Sequence, residues 1–223
     1  MSNTLVLSDI HLGSPVCKVK AVTSVLKNEK YDTLIVNGDL LDNKYIGRYK
    51  KSHWRVLSII RRISKKKRVI LIKGNHDAKA MVLARILGLE FVERHEESIG
   101  GKNFLFMHFQ QFDPFLFKYP LITTIAEHFY YFFQKLDRSK KFSRWIKKQS
   151  KSFLNVRLNI RNKALHYIQD TKHDVICGGH IHYAESYYEP FSFKEYHNSG
   201  SFCDEPCHYL LINSNGNVNL KEV

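Results

Sequence analysis

Five short clusters carry side chains that bind metals: Asp9-Ile-His11, Gly38-Asp39, Gly74-Asn-His-Asp77, His108 and Gly179-His-Ile-His182. Carboxylates, amides and imidazoles in this mixture are donors that divalent first-row cations accept, and one carboxylate has two oxygens with which to bridge two ions. Asp9 with His11, and His180 with His182, are spaced i,i+2; on extended chain each pair shares one face, where both could grip one ion. Asp39 follows the apolar run Leu34-Ile-Val36, and Gly38 and Gly74 give the backbone freedom to turn sharply there. Each cluster alone is commonplace, since Asp-x-His is often a turn and a lone buried histidine is usually just hydrogen-bonded. Five in order, each closing a strand-like run, point to one metal centre assembled from distant parts of the chain.

Such a centre needs elements that bring the clusters together. Residues 4–8, 33–37, 69–73 and 104–108 read as strands, and 16–26, 54–63 and 79–87 carry apolar residues three and four apart, as helices packed on a sheet do. This alternation predicts an α/β fold, in which loops at the carboxyl ends of strands converge on one crevice. In the last fifty residues, 174–177, 185–189, 193–197, 208–212 and 218–221 read as short strands in a meander. Asn213-Ser-Asn-Gly-Asn217 is read as a hairpin turn.

Composition bounds the function. Of 223 residues 43% are hydrophobic and 25% charged, which fits one globular domain spanning 1–223 and argues against a disordered or fibrous chain. Four cysteines form no disulfide framework, so a reducing cytosol is expected. Met1 to Leu7 shows no secretion signal, and the apolar window 115–133 is broken by Lys118, Pro120, Glu127 and His128, so no span is expected. The 35 Lys+Arg against 21 Asp+Glu give +14, which suits an anionic partner: nucleic acid, an acidic membrane or a phosphorylated small molecule.

That charge is local. Residues 135–163 hold eleven Lys/Arg and one acid, Asp137, within a segment, 112–165, of helical composition; nine aromatic residues lie among the 22 from 112 to 133. Phe142, Ile146, Gln149, Phe153, Val156 and Ile160 recur at four-and-three spacing, with Lys147, Lys148, Lys151, Arg157 and Arg161 between them. One face of such a helix can bury lipid while another meets phosphates.

Together the clusters resemble the calcineurin-like metallophosphoesterase superfamily, whose motifs run D-x-H, G-D-x-x-D, G-N-H-D/E, H and G-H-x-H. Here they read Asp9/His11, Gly38-Asp-Leu-Leu-Asp42, Gly74-Asn-His-Asp77, His108 and Gly179-His-Ile-His182. The resemblance implies a two-sheet α/β sandwich flanked by helices, with a helical lid insertion at 112–165. It also implies two divalent ions, one held by Asp9, His11, Asp39 and His182 and one by Asp39, Asn75, His108 and His180. Mn²⁺ suits the mixed N/O donors best, with Mg²⁺, Zn²⁺ or Fe as alternatives. His76 is left for general acid or transition-state charge stabilisation, and Asp42 and Asp77 for support.

Within the superfamily the opening Ser8-Asp-Ile-His-Leu-Gly13 and the insertion are most similar to the UDP-2,3-diacylglucosamine hydrolase group. That likeness implies a pyrophosphatase of lipid A biosynthesis that releases UMP and a lipid phosphate, in the cytoplasm and peripheral on the inner face of an anionic membrane. The chain departs from the group at Phe109, at Gly200-Ser-Phe202 and at His76. A phosphodiesterase acting on nucleic acid or small nucleotides is the alternative, and an inactive scaffold of the same fold a third.

Overall fold

The computed structural model describes residues 3–42, 49–77, 80–113 and 151–223, the last stretch without the side chains of 151–154. The chain divides into two compact units, one of residues 1–108 and 165–223, the other of residues 109–164.

Apolar runs form the middle of the first unit. β1 (Thr4–Leu7), β2 (Thr33–Asn37) and β3 (Arg68–Ile72) lie parallel, Thr4 opposite Thr33 and Leu34 opposite Val69. β4 (Glu90–Val92) adds a parallel edge. On the other side β10 (His208–Ile212) pairs antiparallel with β1 and β11 (Val218–Glu222) with β10, giving the order β11-β10-β1-β2-β3-β4. The second sheet comprises β5 (His95–Ile99), β6 (Lys102–Phe106), β7 (Val175–Gly178), β8 (Glu185–Glu189) and β9 (Lys194–Asn198) in the order β5-β6-β7-β9-β8. Its three central strands are parallel and its edges antiparallel.

Side-chain alternation sends neighbouring residues to different cores. Leu5, Leu7, Leu34, Val36, Val69 and Leu71 pack in a cluster shared with α1 (Val19–Asn28), α2 (Lys51–Ser64) and α3 (Ala80–Leu87). Val6, Ile35, Ile70 and Ile72 turn the other way and meet Phe104, Phe106, Val175 and Cys177 of the second sheet. Strands buried on both faces read as unbroken apolar runs, which is why β1 to β3 are plain in the sequence. Each fully buried aliphatic side chain contributes roughly 1.5–3 kcal/mol of transfer free energy, so the strand ends that follow are firmly anchored.

The strands expected at 33–37, 185–189 and 208–212 coincide with β2, β8 and β10, and the other strands and the three helices differ only at their ends. The hairpin turn is present: Asn213 Oδ1 accepts the N–H groups of Asn215 and Asn217 at 3.0 and 3.1 Å. The meander expected after residue 174 is corrected, because these strands serve two sheets. β7 runs parallel to β9, the chain crosses over, and β10 and β11 complete the first sheet. β4 and β5 escape sequence reading because one has three residues and the other, His-Glu-Glu-Ser-Ile, is a polar edge.

In the second unit Phe109 takes a left-handed backbone (φ 81°) into a 3₁₀ turn, Gln110–Phe112, and Lys163 Nζ donates to the Phe112 carbonyl at 3.2 Å. A fourth helix, α4 (Lys151–Gln169), buries Ile160, Ala164 and Ile168 at four-residue steps. The aromatic stretch from 114 onward and Phe142, Ile146, Lys147, Lys148 and Gln149 lie outside the described residues, as do the side chains of Lys151 and Phe153. Among the described residues no helix is long and apolar enough to cross a membrane.

Candidate metal centre

The loops after β1 and β2 run side by side. Asp9 N–H donates to the Gly38 carbonyl (3.1 Å), His11 N–H to Asp39 (2.9 Å) and Leu12 N–H to Leu40 (2.9 Å). On the other flank Phe202 N–H donates to the Asp9 carbonyl (3.1 Å), and the Ser8 hydroxyl lies 2.7 Å from that of Ser199 and donates to Gly200 (3.0 Å). The segment 198–204 thus braces the Asp9 loop from the second sheet.

The extended backbone expected for the i,i+2 pairs is corrected here. Asp9, His11, Asp39, His180 and His182 all have positive φ, between 48° and 74°. That region is uncommon for residues with a Cβ and costs on the order of 1–3 kcal/mol each where it is held. Each residue kinks the chain just past a strand and aims its side chain into the crevice. Gly38 shares this conformation (φ 86°), and a Cβ there would collide with the His108 ring at 2.2 Å. Gly74 is needed for space alone: a Cβ would lie 2.1 Å from Asp39 Oδ1.

Three overlapping groups have ligand atoms within 4.8 Å of one another: Asp9, His11 and His182; His11, Asp39 and His76; Asp9, Asp39 and His108. Asp9 Oδ1 lies 3.2 Å from His182 Nε2, and His11 Nε2 is 3.1 Å from His182 Nε2. Two donors at right angles on one ion, with bonds near 2.1 Å, stand about 3.0 Å apart. Asp39 Oδ2 lies 3.2 Å from His108 Nε2, 3.6 Å from His11 Nε2 and 4.0 Å from His76 Nε2.

The rings are held from behind. His108 Nδ1 is 2.9 Å from the Asn37 carbonyl and His76 Nδ1 is 2.8 Å from that of Asp42, so each Nδ1–H donates and Nε2 is left facing inward. Asp42 Oδ1 stands 3.6 Å from His11 Nδ1 and Asp204 Oδ2 3.8 Å from His182 Nδ1. Asp77 accepts N–H groups of Leu40, Leu41 and Gly74 at 3.1 to 3.4 Å, tying the β2 and β3 loops together.

A family model described as calcineurin-like phosphoesterase matches residues 2–184. The chain belongs to the calcineurin-like phosphoesterase family. It is thereby a phosphoester hydrolase by family, on a two-sheet metallophosphoesterase fold. Solved structures of similar fold include an archaeal phosphodiesterase (12% identity, 99% of each chain, TM-score 0.55) and the Escherichia coli phosphoesterase YfcE (16%, 99% of this chain and 98% of that one, 0.53). A mutant Vps29 from Entamoeba histolytica is also similar (15%, 99% and 98%, 0.52). No curated relative matches the chain's sequence.

Electrostatics in this phosphoesterase call for cations. Burial raises the Asp9 carboxyl, but His108, His182 and His11 outweigh it and hold it well below the ordinary range. Asp39 is likewise raised by burial and brought down further by His108, His11 and His76. Burial opposes charge on His108, yet Asp39 and Asp9 lift it to about 10. The two buried carboxylates are thus balanced either by a proton on the His108 ring or by a metal ion, and metal binding at that nitrogen would release the proton. Asp9 Oδ1 and His108 Nε2 are buried atoms without a hydrogen bond. With a metal ion in place of the His108 proton, both atoms become ligand positions facing one space. Asp77, pushed up by burial and then by Asp39, reaches about 6 despite its three N–H donors.

Asp9, His11, Asp39, His76, His108 and His182 are therefore brought together, with His76 inside a ligand group although the sequence reading casts it as catalytic. The His180 ring stands 5.4 Å from His108, and the His180 backbone N–H donates to Asp9 Oδ2 at 2.9 Å. Asn75 is exposed on the β3 loop. Cys203 and Cys207 join none of these groups; Cys203 Sγ contacts the Asp9 carbonyl at 3.8 Å. Sequence reasoning missed the bracing residues Ser8, Asn37, Asn198, Ser199 and Asp204. Ser8 and Asn37 adjoin the motifs in sequence, whereas Asn198, Ser199 and Asp204 lie far from Asp9 and reach the site through side-chain contacts that only the fold creates.

Proposed function

We propose that the chain is a dinuclear phosphodiester or pyrophosphate hydrolase using two divalent ions, Mn²⁺ foremost, held by Asp9, His11, Asp39, Asn75, His108, His180 and His182. The observation carrying this reading is the set of three interlocking Asp/His groups, in which the buried Asp9 Oδ1 and His108 Nε2 lack a hydrogen bond. When bound, the ions would supply Lewis acidity, acidify water and attract an anionic phosphoryl group. Asn37 keeps His108 Nε2 free for this role through the Nδ1 contact, and Asp77 fixes the spacing of the two loops. The Asp42 carbonyl holds His76 Nδ1–H, so that His76, when protonated on both nitrogens, could give its Nε2 proton to the leaving oxygen and keep the Nδ1 contact.

The substrate we propose is a nucleotide-linked lipid pyrophosphate of the UDP-2,3-diacylglucosamine type, cleaved to UMP and a lipid phosphate at an anionic membrane surface. Its support lies in the sequence: nine aromatic residues among 112–133 suit acyl chains, and the basic 135–163 suits anionic headgroups. Parallel assays of UDP-2,3-diacylglucosamine, its deacylated analogue and single-stranded oligonucleotides test it. Acyl contacts that strengthen in the transition state make the deacylated analogue lose kcat/KM heavily. Efficient oligonucleotide cleavage with an inert lipid would hand the site to the nucleic-acid reading, which the +14 charge favours.

A further inference from the structure

The helix α3 is apolar on both faces. Ala80, Ala84 and Leu87 are buried in the core cluster shared with α1 and α2, while Met81, Val82 and Ile86 on the outer face stand 48, 66 and 65% exposed. Arg85 is its one charged residue. A helix on the surface of a globular protein normally turns polar residues outward, and one that is apolar all round is suited to being covered.

An independent observation comes from α2, which lies alongside: Ser64 Oγ donates to the Leu87 carbonyl at 2.6 Å, and Arg61 passes beside Gly88. On α2 the row Trp54, Ser58 and Arg61, continued by Lys65, is exposed, Trp54 by 43%. Residues 43–76 and 78–89 contain no acid, so neither helix offsets Arg55, Arg61, Arg62, Lys65 and Lys66, and none of these five is in an ion pair among the described residues. Exposed aliphatic side chains beside unopposed cations fit one partner class, a surface of anionic headgroups over hydrocarbon. A nucleic acid would match the cations equally, yet Val82 and Ile86 offer its bases no ring to stack on and would stay in water.

We propose that the outer face of α2 and α3 docks on an anionic lipid bilayer, with Met81, Val82 and Ile86 entering the boundary between headgroups and acyl chains and Arg61, Lys65 and their neighbours meeting lipid phosphates. α3 starts beside the metal loop, since the Asp77 carbonyl accepts the Ala80 N–H at 2.8 Å, so docking here would hold the hydrolytic site close to the bilayer. The inference deepens the membrane part of the function proposed above and stands on residues other than the basic 135–163.

Sedimentation of the full chain with vesicles of phosphatidylglycerol and phosphatidylcholine tests this. The vesicles hold no substrate, so the result is separate from the choice of substrate, which hydrolysis assays decide. Binding at low salt is expected, weakened about tenfold or more in the double variant Val82→Ser, Ile86→Ser, which removes two exposed aliphatic side chains without touching the core. Arg61→Glu, Lys65→Glu should weaken it to a similar degree and flatten its salt dependence. Phe191→Ser, Phe193→Ser makes an apolar loss of the same kind on the turn between β8 and β9 and should bind as the parent does. Absence of vesicle binding by the parent overturns the proposal, as does a serine pair on α3 that binds as the parent does. An equal loss in the Phe191, Phe193 variant would mark general adsorption and overturn it too. Single-stranded oligonucleotide binding that falls in the Arg61, Lys65 variant while its vesicle binding is kept would assign the face to nucleic acid instead.

Discussion

Two sets of histidine–carboxylate contacts share this fold and differ in how the carboxylates are allotted. On the second sheet and its flank each carboxylate meets one histidine and at least one lysine or arginine: His95 Nε2 is 3.2 Å from Glu97, His173 Nε2 3.1 Å from Glu96 and His197 Nε2 3.2 Å from Glu195, with Arg68, Arg94 and Lys172, and Lys102 beside them. At the strand-end loops Asp9 has His11, His108 and His182 within 3.9 Å, and Asp39 has His11, His76 and His108 within 4.0 Å. On the second sheet the carboxylates are matched by cations the protein itself supplies. Two carboxylates shared among four rings leave donors and acceptors that only an added cation can match. Burial of histidine therefore says little, and convergence on shared carboxylates says much.

The largest effect should come from the shared carboxylate. Asp39→Ala is expected to cost far more turnover of bis(p-nitrophenyl) phosphate than the ~10–100-fold typical of residues that merely orient a ligand. A near-normal rate after chelation and defined metal addition would remove Asp39 from the centre. His76→Ala should lose roughly 10²–10⁴-fold in turnover while keeping its metal, and Asn75→Ala should lose metal. Elemental analysis sharpens this pair: metal lost from His76→Ala and retained in Asn75→Ala would exchange their roles, as the His11, Asp39, His76 group suggests.

The pairs on the second sheet should behave otherwise. His197→Gln removes a side chain bonded to Ser186 Oγ at 2.9 Å and facing Glu195, so it should cost about 1 kcal/mol of stability by denaturant titration and leave turnover unchanged. A large loss of activity would break the distinction. The smallest effect concerns acid. His197 draws the Glu195 carboxyl down, burial resists and Lys102 adds to the lowering, to about 2 from 4.5. A depressed carboxyl stabilises the fold above its unfolded value and loses that contribution as pH falls from about 4.5 towards 2. Glu195→Gln should flatten this part of the stability profile, and an unaltered acid limb would show that the pair contributes nothing.

The sequence shows the apolar strands and the clusters they deliver, because β1, β2 and β3 are buried on both faces and each ends at a candidate ligand. It does not show how the ligands point. Asp9 and His11 reach one space through positive φ, a backbone state no residue type there announces. Nor does a motif show that His76 Nε2 comes within 4.0 Å of Asp39, since that approach depends on the Asp42 carbonyl holding the ring from behind. Asp204 braces His182 from a segment whose strands were read as a meander, so its nearness depended on the crossover between sheets.

Counting metal tests the central claim most directly. The full chain, loaded with Mn²⁺ and dialysed, should hold two ions per chain by elemental analysis, and Asp39→Ala should hold fewer. A wild-type chain that hydrolyses phosphodiesters at full rate with no bound metal, or an Asp39→Ala chain that still holds two ions, would contradict it.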